Sequence, residues 1–123
     1  AAGYVGMSLL TPEAFADLDA KGERIREGLE RIRRDLGIDG YVSGRASLSA
    51  LFMTERFISN YRELAAAVAG GMLERMTLAQ KLMLEEGLLT MRGGFVGSTP
   101  MTDDDIDFTL AAVRRALARM KSA

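Results

Sequence analysis

Cysteine and histidine are both absent from this 123-residue sequence. Their absence excludes Cys/His metal sites, thiol nucleophiles, Ser-His-Asp triads and acid–base chemistry by an imidazole. A chain without cysteine also fits the cytoplasm, which is the location we expect. Aromatic residues make up only 7% of the sequence and form no cluster of stacking rings of the kind that binds RNA.

No charge of one sign predominates, because the sequence has 16 basic and 17 acidic residues and a net charge of -1. No strong field therefore favours nucleic acid. The sequence also has no apolar run approaching the roughly 18 residues that cross a bilayer, and no secretory signal pattern. We expect neither nucleic acid nor a membrane as a partner.

The length of 123 residues and mass of 13.4 kDa predict a single domain over residues 1–123. The first residues, Ala1-Ala2-Gly3-Tyr4, include no initiator methionine. We interpret the chain as a piece of a longer polypeptide.

The first predicted helix spans residues 11–36. Thr11 is a favourable N-cap, Pro12 occupies the first helical position, and Gly37 is a typical stop. Apolar and small residues recur at intervals of three and four, which places them on one helical face. This stripe consists of Phe15, Leu18, Gly22, Ile25, Leu29, Ile32 and Leu36.

Four short segments are predicted to form two pairs of antiparallel strands. The segments are residues 41–43, 48–53, 88–91 and 95–98. Gly40 and Gly44 punctuate the first pair, and Arg92-Gly93-Gly94 joins the second.

Two capping boxes predict the starts of the remaining helices, and glycines mark where one of them breaks and ends. The boxes pair Asn60 with Glu63 and Thr102 with Asp105, and the glycines are Gly70, Gly71 and Gly87. The order helix, two strands, helix, two strands, helix indicates an α+β domain. We expect a small, largely antiparallel sheet of three to four strands with helices packed on one face.

Several local strings occur in an order that is typical of one enzyme family. They lie at residues 10–15, 22, 28–29, 51–54, 59–61, 86–89, 95–96 and 102–107. Together they resemble the C-terminal small domain of class III pyridoxal-phosphate-dependent aminotransferases, in particular the branch of glutamate-1-semialdehyde aminomutases and β-amino-acid aminotransferases. The resemblance covers nearly the whole chain.

The sequence departs from the family pattern at three places. The family commonly has a proline near Phe57 and an aromatic residue near Ser49, and this chain has neither. Aminomutases carry an acidic residue near Gly93 and Gly94, where this chain has Arg92. That last difference favours a transaminase over an aminomutase.

The resemblance implies a parent enzyme, generally a homodimer, that moves an amino group between an amino acid and a 2-oxo acid with pyridoxal phosphate. In the family, the cofactor lysine and the acidic partner of the pyridine nitrogen lie upstream in a large domain. Lys21, Lys81 and Lys121 lack the expected strand-end, glycine-rich context, and we expect all three at the solvated surface. This chain is therefore expected to lack the cofactor lysine, to bind no cofactor and to be inactive alone.

Arg92 is the candidate substrate-binding residue. It sits at a predicted strand end beside two glycines, which let backbone and ligand approach closely. In the β-amino-acid branch, an arginine in this neighbourhood reaches a substrate carboxylate, and a guanidinium can bind a carboxylate through two parallel bonds. The alternative, an ordinary exposed turn arginine, remains open. Arg45 is a weaker candidate of the same kind.

Other polar residues are interpreted structurally. Ser98 and Thr99 precede Pro100 and are expected to form local backbone caps. The acidic residues that open the last helix are expected to compensate its dipole, because their spacing lacks a calcium-loop pattern, and we predict no metal site. These residues are Asp103, Asp104, Asp105 and Asp107.

Two other classes of function stay open beside the transaminase domain. One is a stand-alone α+β binding or regulatory module, and the other is a module that dimerises through the stripe on the first helix. A reading frame several hundred codons longer, with a lysine in the expected context, would favour the transaminase.

Overall fold

A computed structural model describes residues 2–122, and Ala1 and Ala123, at the ends of the expected domain, lie outside the described residues. Five helices and three strands follow one another along the chain. They are α1 (Ala2–Ser8), α2 (Pro12–Leu36), β1 (Tyr41–Arg45), β2 (Leu48–Phe52), α3 (Tyr61–Ala69), α4 (Met72–Glu85), β3 (Gly94–Val96) and α5 (Asp103–Ser122). The α+β class predicted from the sequence is confirmed.

Helix α2 forms where the sequence predicts it, because both of its ends are capped locally. The Thr11 hydroxyl accepts a bond from the Ala14 amide at 3.2 Å, which satisfies a free donor of the first turn. At the other end Gly37 adopts φ +61, and the Ile38 amide donates a hydrogen bond to the Arg33 carbonyl. This closing pattern needs a left-handed residue, which glycine adopts without strain.

The predicted stripe of α2 is buried only in its middle and C-terminal parts. Gly22, Ile25, Leu29 and Ile32 lie in the core, whereas Phe15 is 52% exposed. The buried part packs against the sheet and against α5. That part of the stripe is occupied within the chain and is not presented to a second molecule.

The sheet has three antiparallel strands in the order β1-β2-β3. The predicted strand at 88–91 does not form, apart from a single bridge between Met91 and Gly94. Its backbone groups bond elsewhere: the Leu88 amide donates to the Met83 carbonyl at the end of α4, and the Thr90 carbonyl accepts from Gln80 Nε2 at 2.7 Å. The sheet therefore has three strands, the lower of the two numbers predicted.

Both predicted capping boxes are present. The Glu63 amide donates to Asn60 Oδ1 at 3.1 Å, and the amide and the hydroxyl of Ser59 donate to the Glu63 carboxylate. In α5, the Thr102 and Asp105 side chains each accept a bond from the other residue's amide. The predicted break at Gly70 and Gly71 separates α3 from α4.

The helices cover one face of the sheet, and the register shows which side chains lie on each face. Ser49, Leu51 and Phe95 are buried against the helices. Because side chains alternate along a strand, the residues between them lie on the opposite face. This face, the open face, carries Tyr41, Ser43, Arg45, Leu48, Ala50, Phe52, Gly94 and Val96.

The hairpin between β1 and β2 rests directly on α2. An added Cβ on Gly22 would lie only 1.7 Å from the Ala46 carbonyl oxygen, so a glycine is needed for the helix to approach the turn. Arg26 Nη1 donates to the same carbonyl at 2.7 Å and to the Leu48 carbonyl at 3.1 Å. These contacts fix the sheet relative to the longest helix.

Candidate functional site

Arg92 lies in a tight turn at the start of β3. The turn comprises Met91, Arg92, Gly93 and Gly94, and the Gly94 amide donates to the Met91 carbonyl. Arg92 is exposed, and none of the ion pairs within residues 2–122 involves its guanidinium. The structure therefore places Arg92 as an exposed residue just before β3, while the strand predicted on its other side does not form, and its substrate-binding role stays a prediction.

The backbone beneath Arg92 is held firmly. The Gly93 carbonyl accepts a bond from the Leu51 amide at 2.9 Å, which ties the turn to the central strand. Gly93 has φ +83, and a Cβ there would lie 2.7 Å from both the Leu51 carbonyl oxygen and Met76 Cε. Arg92 is thus an exposed side chain on an anchored turn, an arrangement that limits the ordering cost of binding.

Two large apolar side chains precede Arg92 and were not predicted as site residues. Leu89 is 81% exposed and Met91 is 69% exposed, while Thr90 between them is buried. Met91 pairs with Gly94, and paired residues of antiparallel strands share a face, so Met91 lies on the open face. The alternation around Thr90 is visible in the sequence, but only the structure shows that the apolar residues point away from the core.

Arg45, the weaker candidate, ends β1 opposite Leu48 on the open face and is exposed. It stands beside the turn at Ala46, whose φ of +52 is unusual for a residue with a side chain. Arg45 and Arg92 both lie beside the sheet, although they are distant in sequence. The structure shows no contact between them.

Most of the other arginines serve as structural links. Arg24 pairs with Asp103 and with Asp107 Oδ1, which joins α2 to the start of α5. Arg75 donates through Nε and Nη2 to the Met53 carbonyl. Such engagement distinguishes these residues from Arg92.

The three lysines lie in different surroundings. Lys121 Nζ donates to the Leu36 carbonyl at 2.6 Å, and Lys81 lies on the exposed side of α4. Lys21 is not a solvated residue as predicted: its side chain is only 14% exposed and bridges Asp17 and the Thr99 carbonyl. No lysine here combines a free amine with a pocket of phosphate donors, so the residues present do not fit pyridoxal phosphate.

The acidic start of α5 also has a structural explanation. Asp105 belongs to the capping box, whose bonds from Thr102 lower the pKa of the Asp105 carboxyl, and Asp103 and Asp107 pair with Arg24. Within residues 2–122, no group of three or more acidic side chains is arranged to hold a metal ion. In the same part of the chain, no helix has the length and apolar character needed to span a bilayer.

One concavity of the described surface lies away from Arg92. A cleft of about 720 Å³ is bounded by the end of α2, the loop after β2, helix α3 and the end of α5. Two of its charged neighbours are engaged, since Arg75 bonds to backbone carbonyls and Lys121 bonds to Leu36, and Asp39, Glu55 and Arg56 also line it.

Solved transaminase structures share this fold. An omega-transaminase from Sphaerobacter thermophilus matches 99% of the chain with a TM-score of 0.88 at 24% identity, over 27% of its own length. A β-phenylalanine aminotransferase from Variovorax paradoxus matches 94% of the chain with a TM-score of 0.78 at 30% identity, over 26% of its length. The fold is therefore that of one part of these larger enzymes.

The sequence agrees with the fold. A glutamate-1-semialdehyde 2,1-aminomutase from Bacillus cereus (strain B4264) is 30% identical over 125 residues, which cover 99% of this chain and 28% of that protein. No protein-family model matches the chain. The resemblance is confirmed: in sequence and fold the chain is similar to the C-terminal domain of pyridoxal-phosphate-dependent aminotransferases, and it spans 28% of the length of that relative.

Proposed function

We propose that this chain is the small domain of a larger class III transaminase, in which it presents Arg92 to the carboxylate of an amino-acid or 2-oxo-acid substrate. The observation that carries the proposal is the coverage: 99% of this chain matches only 28% of the aminomutase relative. The remaining 72% of such a relative has no counterpart here. A missing large domain would supply the pyridoxal phosphate site.

The chain's own residues support this division of roles. The lysines do not fit the cofactor, whereas an exposed arginine stands on an anchored turn. The isolated chain, residues 1–123, is therefore proposed to bind no cofactor and to be inactive. The amino-group chemistry belongs to the cofactor when the large domain holds it, and this domain contributes binding and orientation of the substrate.

Exposed apolar side chains at one end of the chain favour contact with further polypeptide. Helix α1 has no buried residue, and Tyr4, Met7 and Leu9 are all largely exposed. Clustered exposed apolar residues are typical of interaction surfaces. We place the large domain against this end, and the parent enzyme is proposed to be a cytoplasmic homodimer.

Arg92 favours a transaminase over an aminomutase. A guanidinium binds a carboxylate by charge-assisted bonds, and the acidic residue common at this turn in aminomutases would repel one. The alternative, a stand-alone binding or regulatory module, is supported by the closed core, since no buried side-chain nitrogen or oxygen within residues 2–122 lacks a partner. The length of the reading frame that contains these residues separates the two.

The direct test is Arg92→Ala in the complete enzyme, assayed with an amino acid and with an amine that lacks a carboxylate. We expect kcat/KM for the amino acid to fall roughly tenfold to a hundredfold, as for loss of a charged hydrogen bond, and the amine to be unaffected. Arg31→Ala is the control, because Arg31 is an exposed arginine of α2 and is not a candidate for substrate binding. An equal loss for both substrates, or the same loss in the control, would contradict the assignment.

A further inference from the structure

One side of helix α4 holds the segment that leads into the turn of Arg92. Gln80 Nε2 donates to the Thr90 carbonyl at 2.7 Å, and the Thr90 hydroxyl donates to Met83 Sδ at 3.8 Å. Gln80 and Met83 are three positions apart on the helix, so their side chains lie on the same side of it. Thr90 is therefore bound to α4 through both its backbone and its side chain.

The sheet holds the turn on its other side. The Gly93 carbonyl accepts a bond from the Leu51 amide at 2.9 Å. Arg92 comes two residues after Thr90 and directly before Gly93, so its backbone lies between the two attachments. The attachment to the sheet uses a backbone amide, which any residue supplies. The attachment to α4 depends on the side chain of Gln80.

The bond from Gln80 to Thr90 is not easily replaced by water. Thr90 is 7% exposed, and Gln80 is half-buried. A backbone carbonyl in a buried segment needs a partner within the protein. Without the glutamine amide, the segment before Arg92 loses this attachment and can shift.

From this arrangement we infer that Gln80 is a positioning residue, which acts through the Thr90 carbonyl to hold Arg92 where the substrate carboxylate binds. The inference rests on the proposed function, in which Arg92 binds that carboxylate. When the attachment is lost, the turn adopts other positions, and only a fraction of the molecules presents the guanidinium correctly. The apparent affinity for the substrate falls by that fraction.

The experiment measures kcat and KM of Gln80→Met in the complete enzyme, with an amino acid and with an amine that lacks a carboxylate. Methionine keeps the approximate size of the side chain and removes the donor. We expect KM for the amino acid to rise roughly threefold to tenfold, the range for loss of one neutral hydrogen bond. We expect kcat to stay close to that of the wild type, and the amine to be unaffected.

Two further variants of Gln80 sharpen the test. Gln80→Lys retains a donor of similar reach and should restore most of the wild-type KM. Gln80→Asn keeps the amide but shortens its reach by one carbon, and it should raise KM in the same way if the methionine variant folds poorly. Lys121→Met is the control, because it removes a comparable bond to the Leu36 carbonyl at the end of α5.

A double variant separates positioning from a purely structural role. If Gln80 acts through Arg92, adding Gln80→Met to Arg92→Ala should raise KM for the amino acid no further, because the group being positioned is gone. Equal losses with the amino acid and the amine, or additive losses in the double variant, would overturn the inference.

The remaining results distinguish the inference from the proposed function. An unchanged KM in Gln80→Met, with Arg92→Ala still selective against carboxylates, overturns the inference and leaves the proposed function standing. If Arg92→Ala shows no such selectivity, the proposed role of Arg92 fails and the inference fails with it.

Discussion

Gly22 provides the sharpest test of the packing between α2 and the β1–β2 hairpin. In Gly22→Ala, the new Cβ would lie 1.7 Å from the Ala46 carbonyl oxygen, and an ordinary contact is 3.4 Å or more. The helix and the hairpin must therefore separate by roughly 1.7 Å. The atom in the way belongs to the backbone, so no side-chain rotation relieves the clash.

The expected free-energy change combines opposing effects. Alanine in place of glycine stabilises a helix interior by about 1 kcal/mol. Overpacking costs about 1 to 3 kcal/mol, and loosening the bonds from Arg26 to the hairpin carbonyls costs about 1.5 kcal/mol or more. We predict that Gly22→Ala lowers the free energy of unfolding by about 2 kcal/mol.

Urea unfolding followed by circular dichroism measures this change, and Gly28→Ala is the matched control. An added Cβ at Gly28 would meet only the Leu110 side chain, whose nearest atom is 2.5 Å away and can rotate. We expect Gly28→Ala to stay within about 1 kcal/mol of wild type, since the helix gain offsets the repacking. If Gly22→Ala has the same free energy of unfolding as this control, α2 and the hairpin do not approach as closely as described.

Two further predictions concern local features. A hydrogen bond from Arg33 lowers the pKa of Glu30 to about 2, so Glu30 stabilises the fold above the unfolded pKa of 4.5 and this contribution is lost as the pH falls toward 2. Glu30→Gln should lower the free energy of unfolding by about 1 kcal/mol at pH 7 and reduce the loss of stability between pH 4.5 and 2. An unchanged loss of stability over this pH range would contradict the role of Glu30. Ala46→Gly should raise the free energy of unfolding by up to about 1 kcal/mol in the same urea assay, because glycine adopts a φ of +52 without strain. A lower free energy of unfolding would show that the backbone at Ala46 is not strained.

The sequence predicts most reliably the features that local chemistry determines. The ends of α2 and the two capping boxes were predicted because each depends on residues a few positions apart, such as Thr11 with Ala14. The pairing of β1 with β2 was also predicted, because the two segments are close in sequence and glycines punctuate them. These elements together were sufficient for the α+β class.

The features that the sequence did not predict depend on distant partners. Residues 88–91 have an alternating pattern, yet Gln80 and the end of α4 bind their backbone, and no strand forms. Lys21 was expected in solvent because nothing nearby in sequence shows that the Thr99 carbonyl receives its amine. Helix α1 was not predicted at all, since none of its residues is buried and its seven residues carry no capping signal.

The candidate site was predicted in part. The sequence, with the family resemblance, singled out Arg92, and its role as a substrate-binding residue stays a prediction. Leu89 and Met91 were missed because exposed apolar residues cannot be told from core residues before the fold is known.

We propose that the lysine that holds pyridoxal phosphate lies outside this 123-residue chain. The most direct measurement adds equimolar pyridoxal phosphate to the purified 123-residue chain, reduces the mixture with borohydride and maps modified lysines by mass spectrometry. We expect no stoichiometric adduct, with only trace labelling spread over exposed amines. A stoichiometric adduct on a single lysine among Lys21, Lys81 and Lys121 would contradict it.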